Sequence, residues 1–227
     1  MKLLVSDYDG TFKEENNGKN IKANVEAIKK FIKKGNIFVL ATGRNFTSIK
    51  NETTKYKIPY KYLICNDGST IFNEKDELIY KDPIPENILT ETLEYLSSLS
   101  YINKIMLLNE YGQETNNPSS IIEIICTLNL TSIHKLNKVK RNIEYLDRAS
   151  LLNYISFKNQ TNKKDGIKLI SLKEKIDPKN IYTIGNDKND LEMLKEYNGY
   201  KVLFAYPSLY LKGIKTTPSI RTLTKKL

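Results

Sequence analysis

The sequence is poor in the residues on which several common catalytic and structural sites depend. Its 227 residues include one histidine, two cysteines and no tryptophan. A single imidazole, His134, excludes mechanisms that need paired histidines, among them most zinc hydrolase sites, and a Ser-His-Asp triad would have to use that residue. The cysteines, Cys65 and Cys126, lie far apart without Cys-x-x-Cys spacing. We therefore expect no disulfide framework and a reducing, cytoplasmic location.

Long apolar segments are lacking as well. No stretch approaches the eighteen or so uninterrupted apolar residues of a membrane-spanning helix. The apolar start of the chain is interrupted by Asp7 and Asp9 before a signal-peptide core could form. The sequence therefore predicts a soluble, unprocessed protein with no membrane partner.

Positive charge predominates, with 36 Lys and Arg against 26 Asp and Glu and a formal net charge of +10. Such an excess would suit a nucleic acid or an anionic membrane surface. The lysines, however, recur singly or in pairs without long basic blocks, and Lys, Asn and Ile are abundant throughout. We attribute the charge to overall composition and do not expect a nucleic-acid partner; the oligomeric state stays open.

Alternating strand and helix patterns predict an α/β protein. The segment 20–35 has apolar residues at helical spacing, with Asn20 placed to cap it and Gly35 to end it. Short connections between such elements predict a parallel sheet covered by helices on both faces. The apolar runs that predict its strands lie at 2–6, 37–41, 181–184 and 201–204.

The middle of the chain follows another pattern. Segments 60–65 and 69–72 flank Asn66-Asp67-Gly68, a turn typical of two antiparallel strands. Beyond the prolines at 83 and 85 come a helix, a strand at 104–108 and mixed segments, before the β-α alternation returns near residue 162. We therefore predict a core formed by 1–82 and 161–227, with a small inserted α+β domain at 83–160.

Three predicted strands end in polar clusters. These are Asp7-Tyr8-Asp9-Gly10-Thr11, Thr42-Gly43-Arg44 and Gly185-Asn186-Asp187-Lys188-Asn189-Asp190. Functional groups of parallel sheets collect at the carboxyl ends of the strands, so the site is predicted there. Asp67 and Ser69 could line the same cleft, although a tight turn alone explains an Asp-Gly pair.

Asp7 and Asp9 point to the same side of an extended segment, and Gly10 then allows a sharp turn. Two adjacent carboxylates repel each other unless a proton or a cation intervenes, and Mg²⁺ accepts such oxygens while contacting a substrate phosphate. One carboxylate could then attack phosphorus while the other acts as general acid and base. The alternative is a turn rich in capping residues.

Further groups could bind phosphate. Thr42 and Gly43 offer a hydroxyl and backbone N–H groups ahead of a helix, although an ordinary β-α turn would look the same. Either Lys163 or Lys164 could reach a phosphoryl group, or simply begin a solvated helix, and the residues alone do not choose between them. The cluster at 185–190 could complete a Mg²⁺ shell or cap the following helix.

Taken together, these motifs resemble the haloacid dehalogenase (HAD) superfamily, and within it the Cof-type (subfamily IIB) phosphatases. The order, spacing and strand-end placement of four motifs match: Asp7 to Thr11, Thr42 to Arg44, the lysine before Gly166, and Gly-x-x-x-Asn-Asp at 185–190. The resemblance covers roughly 1–82 and 160–227. It implies a Rossmann-like core, a mobile inserted cap and Mg²⁺-dependent hydrolysis of phosphate esters through an aspartyl-phosphate.

The resemblance also assigns roles to residues. It implies Asp7 as the nucleophile and Asp9 as the general acid and base. The implied phosphate-binding groups are the Tyr8 backbone N–H, Thr42, Gly43, Lys163 and Asn189, with Lys163 preferred to Lys164 because the family's lysine stands three residues before a glycine. The implied metal ligands are Asp7, the Asp9 carbonyl, Asn186 and Asp190.

The sequence departs from the family pattern at one ligand. The family has an aspartate where this chain has Asn186, which can ligate through its carbonyl oxygen but contributes no charge. Mg²⁺ binding should therefore be weaker unless Asp187 or Asp190 compensates. The inserted segment is also shorter than the usual Cof-type cap, which bears on the substrate.

The expected function is thus a cytoplasmic, Mg²⁺-dependent phosphatase of a small phosphorylated metabolite, such as a sugar phosphate. One alternative is a catalytically weakened core that binds phosphorylated ligands or nucleic acid through its positive charge. Another is a receiver-type signalling domain whose aspartate stays phosphorylated, but Asp9 stands where a general base would hydrolyse that intermediate.

Overall fold

The computed structural model describes residues 1–14, 18–143, 145–210 and 212–227. They form two units, which we call the core unit (Met1–Tyr80 with Asn162–Leu227) and the inserted unit (Lys81–Thr161). None of the helices in this part of the chain combines the length and the apolar character needed to cross a bilayer.

The secondary structure alternates as the sequence predicts. In chain order the strands are β1 (Leu3–Asp7), β2 (Ile37–Ala41), β3 (Tyr62–Cys65), β4 (Thr70–Asn73), β5 (Leu78–Lys81), β6 (Ile102–Leu108), β7 (Glu123–Leu128), β8 (Asp147–Leu151), β9 (Tyr154–Lys158), β10 (Ile181–Gly185), β11 (Asn198–Val202) and β12 (Lys215–Thr217). The α-helices are α1 (Gly18–Lys33), α2 (Phe46–Tyr56), α3 (Glu86–Ser97), α4 (Leu136–Arg141), α5 (Lys163–Lys173), α6 (Leu191–Glu196), α7 (Pro207–Tyr210) and α8 (Ile220–Lys226).

The core unit is built on a sheet with the strand order β12-β11-β10-β1-β2-β3-β4-β5. Strands β12 to β3 in this order are parallel, and β4 pairs antiparallel with β3. Every residue of β1 and β2 is buried, which is why these strands read as continuous apolar runs. The predicted α/β fold with a parallel core sheet is confirmed.

The register of the central strands aligns their carboxyl ends. Asp7 pairs with Ala41 of β2, Ser6 with Ile184 of β10, and Ala41 with Ile64 of β3. The four loops that follow β10, β1, β2 and β3 therefore leave the sheet side by side. These loops carry all the polar clusters that the sequence analysis singled out.

Two helices show how local sequence sets this frame. Helix α1 buries Ile21, Val25 and Ile28, as its periodicity predicts, but Asn20, the predicted cap, lies inside the helix and donates to Glu14 (2.6 Å). Helix α5 begins with a capping box between Asn162 and Asp165. This cap fixes the first residue of the helix, Lys163, at the edge of the sheet.

One local prediction differs from the structure. The strand expected at 201–204 is β11, Asn198–Val202, and the apolar run continues into a loop where Phe204 is 95% exposed. The turn at Asn66–Gly68 joins two antiparallel strands, as predicted, and it is a 3-10 turn with positive φ at Asn66 (49°) and Asp67 (55°).

The inserted unit contains an antiparallel sheet with the order β6-β7-β9-β8. Its interior is an apolar cluster drawn from α3, the sheet and the segment around α4, including Leu96, Ile124 and Phe157, each fully buried. The expected α+β architecture of this insert is therefore confirmed.

Candidate active site

The carboxyl ends of β10, β1, β2 and β3 bring the predicted site residues together in the core unit. Asp7 closes β1, Thr42 follows β2, Asn66 and Asp67 follow β3, and the cluster at 185–190 follows β10. Lys163 enters from the start of α5. The structure thus assembles residues that are up to 183 positions apart in sequence, as the Asp7 and Asp190 contacts to a common lysine show.

A buried charged triad lies at the centre of this site. The Lys163 Nζ donates to Asp7 Oδ1 and to Asp190 Oδ1, both at 2.7 Å. The side chains of Lys163 and Asp190 are fully inaccessible, and that of Asp7 is 8% exposed. The neighbouring Lys164 lies outside the triad, so the geometry distinguishes two lysines that the residues alone could not.

The triad shifts the proton affinities of its members. Burial, and then the charge of Asp190, raise the pKa of Asp7 from its ordinary value of 3.8 to about 7, although Lys163 acts against this shift. Burial lowers the pKa of Lys163, but the carboxylates of Asp190 and Asp7 outweigh it and raise the pKa above its usual range. Two carboxylates share one ammonium here, so Asp7 lacks full compensation for its negative charge.

Asp190 also shapes the loop after β10. Its Oδ2 accepts the backbone N–H groups of Asn186 (2.8 Å) and Asp187 (3.0 Å). Both carboxylate oxygens of Asp190 are therefore engaged, one by Lys163 and one by the loop. Asp190, expected among the metal ligands, supports the loop that carries Asn186.

The Asn186 side chain lies against the oxygens expected to hold a divalent cation. With its amide nitrogen turned inward it reaches the Asp9 carbonyl (2.8 Å), the Thr11 hydroxyl (2.8 Å) and Asp7 Oδ2 (3.0 Å). A Cβ on Gly10 would lie 2.3 Å from the other terminal atom of this amide, and the φ of Gly10 is +76°. A side chain at Gly10 would therefore displace the amide and strain the backbone.

This donor set fits a hard divalent cation. The carboxylate of Asp7, the carbonyl of Asp9 and the amide of Asn186 converge, and Mg²⁺ prefers oxygen ligands of these kinds. Rotation of the terminal amide would turn the oxygen of Asn186 inward. Within the described ranges, no group of three or more His, Cys, Asp or Glu side chains is arranged to hold a metal. A cation would thus depend on the carbonyl and the amide.

Arg44 clamps the second predicted catalytic residue. Its Nε and Nη2 each donate to one carboxylate oxygen of Asp9 at 2.7 Å, a bidentate contact, and its guanidinium lies 5.3 Å from the centre of the Tyr8 ring. Arg44 belongs to the predicted Thr42-Gly43-Arg44 motif, but its position there does not indicate this role. A bidentate arginine requires a planar carboxylate within reach, which sequence spacing alone does not reveal.

Tyr8, between the two aspartates, is fully buried and anchors the loop to α2. Its hydroxyl donates to Glu52 (2.5 Å), which also accepts from Lys13 (2.6 Å). Burial, followed by the hydrogen bond to Glu52, raises the pKa of Tyr8 above its ordinary range. The sequence predicted a role only for the backbone N–H of Tyr8. The hydrogen bond from its hydroxyl to Glu52 was not predicted. That N–H bonds to the Asp7 carboxylate.

The loops after β2 and β3 are joined by backbone hydrogen bonds. Thr42 donates to Ile64 (2.9 Å), Asp67 donates to the Thr42 carbonyl (3.0 Å), and the Arg44 N–H bonds to the buried Thr42 hydroxyl (3.1 Å). Asn189, from the loop after β10, donates to Asp67 Oδ1 (2.8 Å). Three of the expected phosphate-binding residues, Thr42, Gly43 and Asn189, therefore surround Asp67.

Comparisons with known proteins agree with this geometry. A family model for haloacid dehalogenase-like hydrolases matches residues 4–155 and 148–205. A curated relative from Buchnera aphidicola subsp. Acyrthosiphon pisum (strain APS), named as a candidate phosphatase, is 26% identical over 227 residues and covers 86% of this chain and 81% of its own length.

Solved structures share the fold of the whole chain. A HAD-superfamily phosphatase from Bacteroides thetaiotaomicron is 19% identical with a TM-score of 0.80, covering 100% of this chain and 94% of its own. A subclass IIB sugar phosphatase of the superfamily is 17% identical with a TM-score of 0.74, covering 100% and 97%. The Cof-type resemblance is therefore confirmed at the level of the fold.

Proposed function

The chain belongs to the haloacid dehalogenase-like hydrolase family, and from that premise we propose that it is a Mg²⁺-dependent phosphatase of a small phosphorylated metabolite. The single observation that carries the proposal is the contact between Asp7 and the buried Lys163 (2.7 Å) at the end of β1. A carboxylate beside a fixed ammonium, at an edge lined with backbone N–H groups, suits attack on a phosphorylated substrate.

In the proposed first step a carboxylate oxygen of Asp7 attacks phosphorus, the P–O bond to the leaving group breaks, and an aspartyl-phosphate forms. Asp9, protonated and released from Arg44 in the substrate complex, gives its proton to the departing oxygen. In the second step Asp9 takes a proton from water, the water oxygen attacks phosphorus, and the bond to Asp7 breaks. The products are the alcohol and inorganic phosphate, with both aspartates restored.

Other residues of the core unit would bind and orient the phosphoryl group. We assign this role to Lys163, the Tyr8 and Gly43 backbone, Thr42 and Asn189. Lys163 supplies a fixed positive charge, because its ammonium is held by two carboxylates and cannot turn to solvent. Arg44 sets the direction of the Asp9 carboxylate.

We assign the Mg²⁺ site to Asp7, the Asp9 carbonyl and Asn186, with Asp190 behind them. A bound Mg²⁺ would neutralise charge on the transferring phosphoryl group. It would also stabilise Asp7 in the ionised form that a nucleophile needs, against the burial that raises the pKa of this residue. Because Asn186 contributes no charge, this site should hold Mg²⁺ less tightly than an all-carboxylate one.

The proposed substrate class is a sugar phosphate or a metabolite of similar size. The fold likeness to a subclass IIB sugar phosphatase supports this class. We also propose a cytoplasmic location, which is consistent with two buried cysteines, Cys65 and Cys126, that are not joined in a disulfide.

A phosphate-release screen tests the proposal directly. Wild type, Asp7→Asn and Asn186→Asp would be assayed on an aryl phosphate and a metabolite panel across a Mg²⁺ titration. We expect release by wild type, a loss of at least about 1000-fold in Asp7→Asn, and half-saturation at about tenfold lower Mg²⁺ in Asn186→Asp. If wild type released no phosphate at any Mg²⁺ concentration while Asn186→Asp did, the proposal that the natural chain is an active phosphatase would be wrong.

A further inference from the structure

Asp67 lies among the groups that we assign to phosphate. Its Oδ1 accepts from Asn189 Nδ2 (2.8 Å), and its backbone N–H donates to the carbonyl of Thr42 (3.0 Å). A Cβ built on Gly43 would meet Asp67 Oδ2 at 3.0 Å and Oδ1 at 3.2 Å. The carboxylate therefore rests directly against the Gly43 backbone, where a phosphate oxygen would also have to approach.

The backbone around Asp67 is held in an uncommon conformation to achieve this placement. Asn66 and Asp67 both have left-handed φ values, 49° and 55°, and they are consecutive non-glycine residues. Asn and Asp tolerate this region better than other side chains do, yet it still costs free energy at each position. The Asn66 N–H donates to the Arg44 carbonyl (2.9 Å), which ties the same turn to the loop after β2.

The charge of Asp67 acts on the centre of the site. Together with Asp190 and Asp7, it helps to raise the pKa of Lys163. The carboxylates of Asp7, Asp9, Asp67 and Asp190 outnumber the cations of Lys163 and Arg44. A phosphate dianion that binds Asn189 and the Gly43 backbone must come close to the Asp67 carboxylate. The two negative charges repel each other, which weakens phosphate binding.

We propose that Asp67 competes with phosphate for Asn189 and the Gly43 loop and so keeps the affinity of the site for inorganic phosphate low. The Asp67 carboxylate itself accepts from Asn189 and lies against the Gly43 backbone. Any entering phosphoryl group has to displace this carboxylate, and inorganic phosphate has no organic part whose contacts could offset that cost. Asp67 would therefore favour release of the product phosphate. The inference rests on the phosphatase function proposed above.

Binding of inorganic phosphate to the full chain, measured by calorimetry with Mg²⁺ present, tests this role without turnover. Asp67→Asn keeps the acceptor oxygen for Asn189 and a residue that tolerates left-handed φ, and it removes only the charge. We expect its dissociation constant for phosphate to fall about tenfold. Asp67→Gly, which also suits this backbone, should bind phosphate more tightly than wild type as well.

Asp76→Asn is the matched control. Asp76 lies in the same unit, has a φ of 65°, and accepts hydrogen bonds from Lys50 (2.7 Å) and Tyr60 (3.1 Å). It therefore loses the same charge in a similar backbone setting, and we expect less than a twofold change. Unchanged or weaker phosphate binding in both Asp67 variants would overturn the inference, because Asp67 would then only position Asn189. Wild-type protein that binds phosphate but hydrolyses no ester would instead contradict the proposed function.

Discussion

The interiors of the core unit and the inserted unit are built from different chemistry. The core unit buries three charged side chains, Asp7, Lys163 and Asp190, in contact with one another. The apolar cluster of the inserted unit consists of aliphatic and aromatic side chains such as Leu96 and Phe157, and Glu123 and Lys158 of that unit are buried as well. The core unit differs in holding two carboxylates on one fully buried lysine.

This difference indicates where selection for chemistry acts. A buried ion pair rarely adds net stability over a well-packed apolar core, because desolvation offsets the attraction. Two carboxylates on one lysine are less favourable still. The triad is therefore better explained by reactivity than by stability, and the apolar cluster by stability alone. Substitutions in the triad should therefore change phosphate release, whereas substitutions in the apolar cluster should change the free energy of unfolding alone.

The largest effect is expected when the triad loses its cation. Lys163→Met leaves two buried carboxylates without a counter-ion, so the free energy of unfolding should fall by about 3–5 kcal/mol. Phosphate release should fall at least about 100-fold. Urea denaturation and the phosphate-release assay measure the two losses. Lys164→Met is the control, within about 0.5 kcal/mol of wild type; equal effects of the two substitutions would contradict the assignment of Lys163.

The inserted unit should lose stability without any charge effect. Leu96→Ala removes a fully buried side chain from the apolar cluster, and we expect a loss of about 3 kcal/mol in the free energy of unfolding. The partly buried Leu93 gives a control in which Leu93→Ala costs less. Binding of inorganic phosphate should stay within about twofold of wild type. A tenfold loss of binding in Leu96→Ala would show that the apolar cluster also supports the site.

The smallest expected effect is a gain in stability, caused by the substitution Asp7→Asn. Because the pKa of Asp7 is raised from 3.8 to about 7 in the folded protein, the folded state holds a proton that the unfolded chain has released. Wild-type stability should therefore decrease as pH rises from about 4 to 7, and then level off. Asp7→Asn removes this loss and leaves Lys163 paired with Asp190 alone.

We expect Asp7→Asn to be more stable than wild type by on the order of 1–3 kcal/mol at pH 7.5, with a smaller advantage near pH 5. Thermal denaturation in the presence of a chelator, repeated at several pH values, measures this difference. Asp9→Asn is the comparison, because that carboxylate is 54% exposed and should matter little. A stability gain independent of pH would argue against the raised pKa of Asp7.

Much of the fold could be predicted from the sequence because its signals are local. The strands β1 and β2 are continuous apolar runs and α1 has a clear helical period, so their existence follows from burial on one or two faces. Strand-end placement then brought Asp7, Thr42 and Asn186 to one edge, because parallel strands share the direction of their carboxyl ends.

The remaining features depend on contacts between distant segments. The clamp of Arg44 on Asp9 and the bond of Tyr8 to Glu52 join residues 35 and 44 positions apart, and no local pattern specifies either pair. The hydrogen bonds that tie Asn66 and Asp67 to the loop after β2 likewise join segments that are distant in sequence. These contacts exist only once the sheet has brought the loops together.

The late position of Lys163 and Asp190 in the chain has a consequence for biosynthesis. A ribosome releases Asp7 long before it makes the lysine that neutralises it in the buried triad. Until then β1 can reach its central place in the sheet only by leaving a carboxylate in a dry interior without a partner. The core unit should therefore stay open during translation of the inserted unit, which is free to fold first, and close only when the last third of the chain arrives.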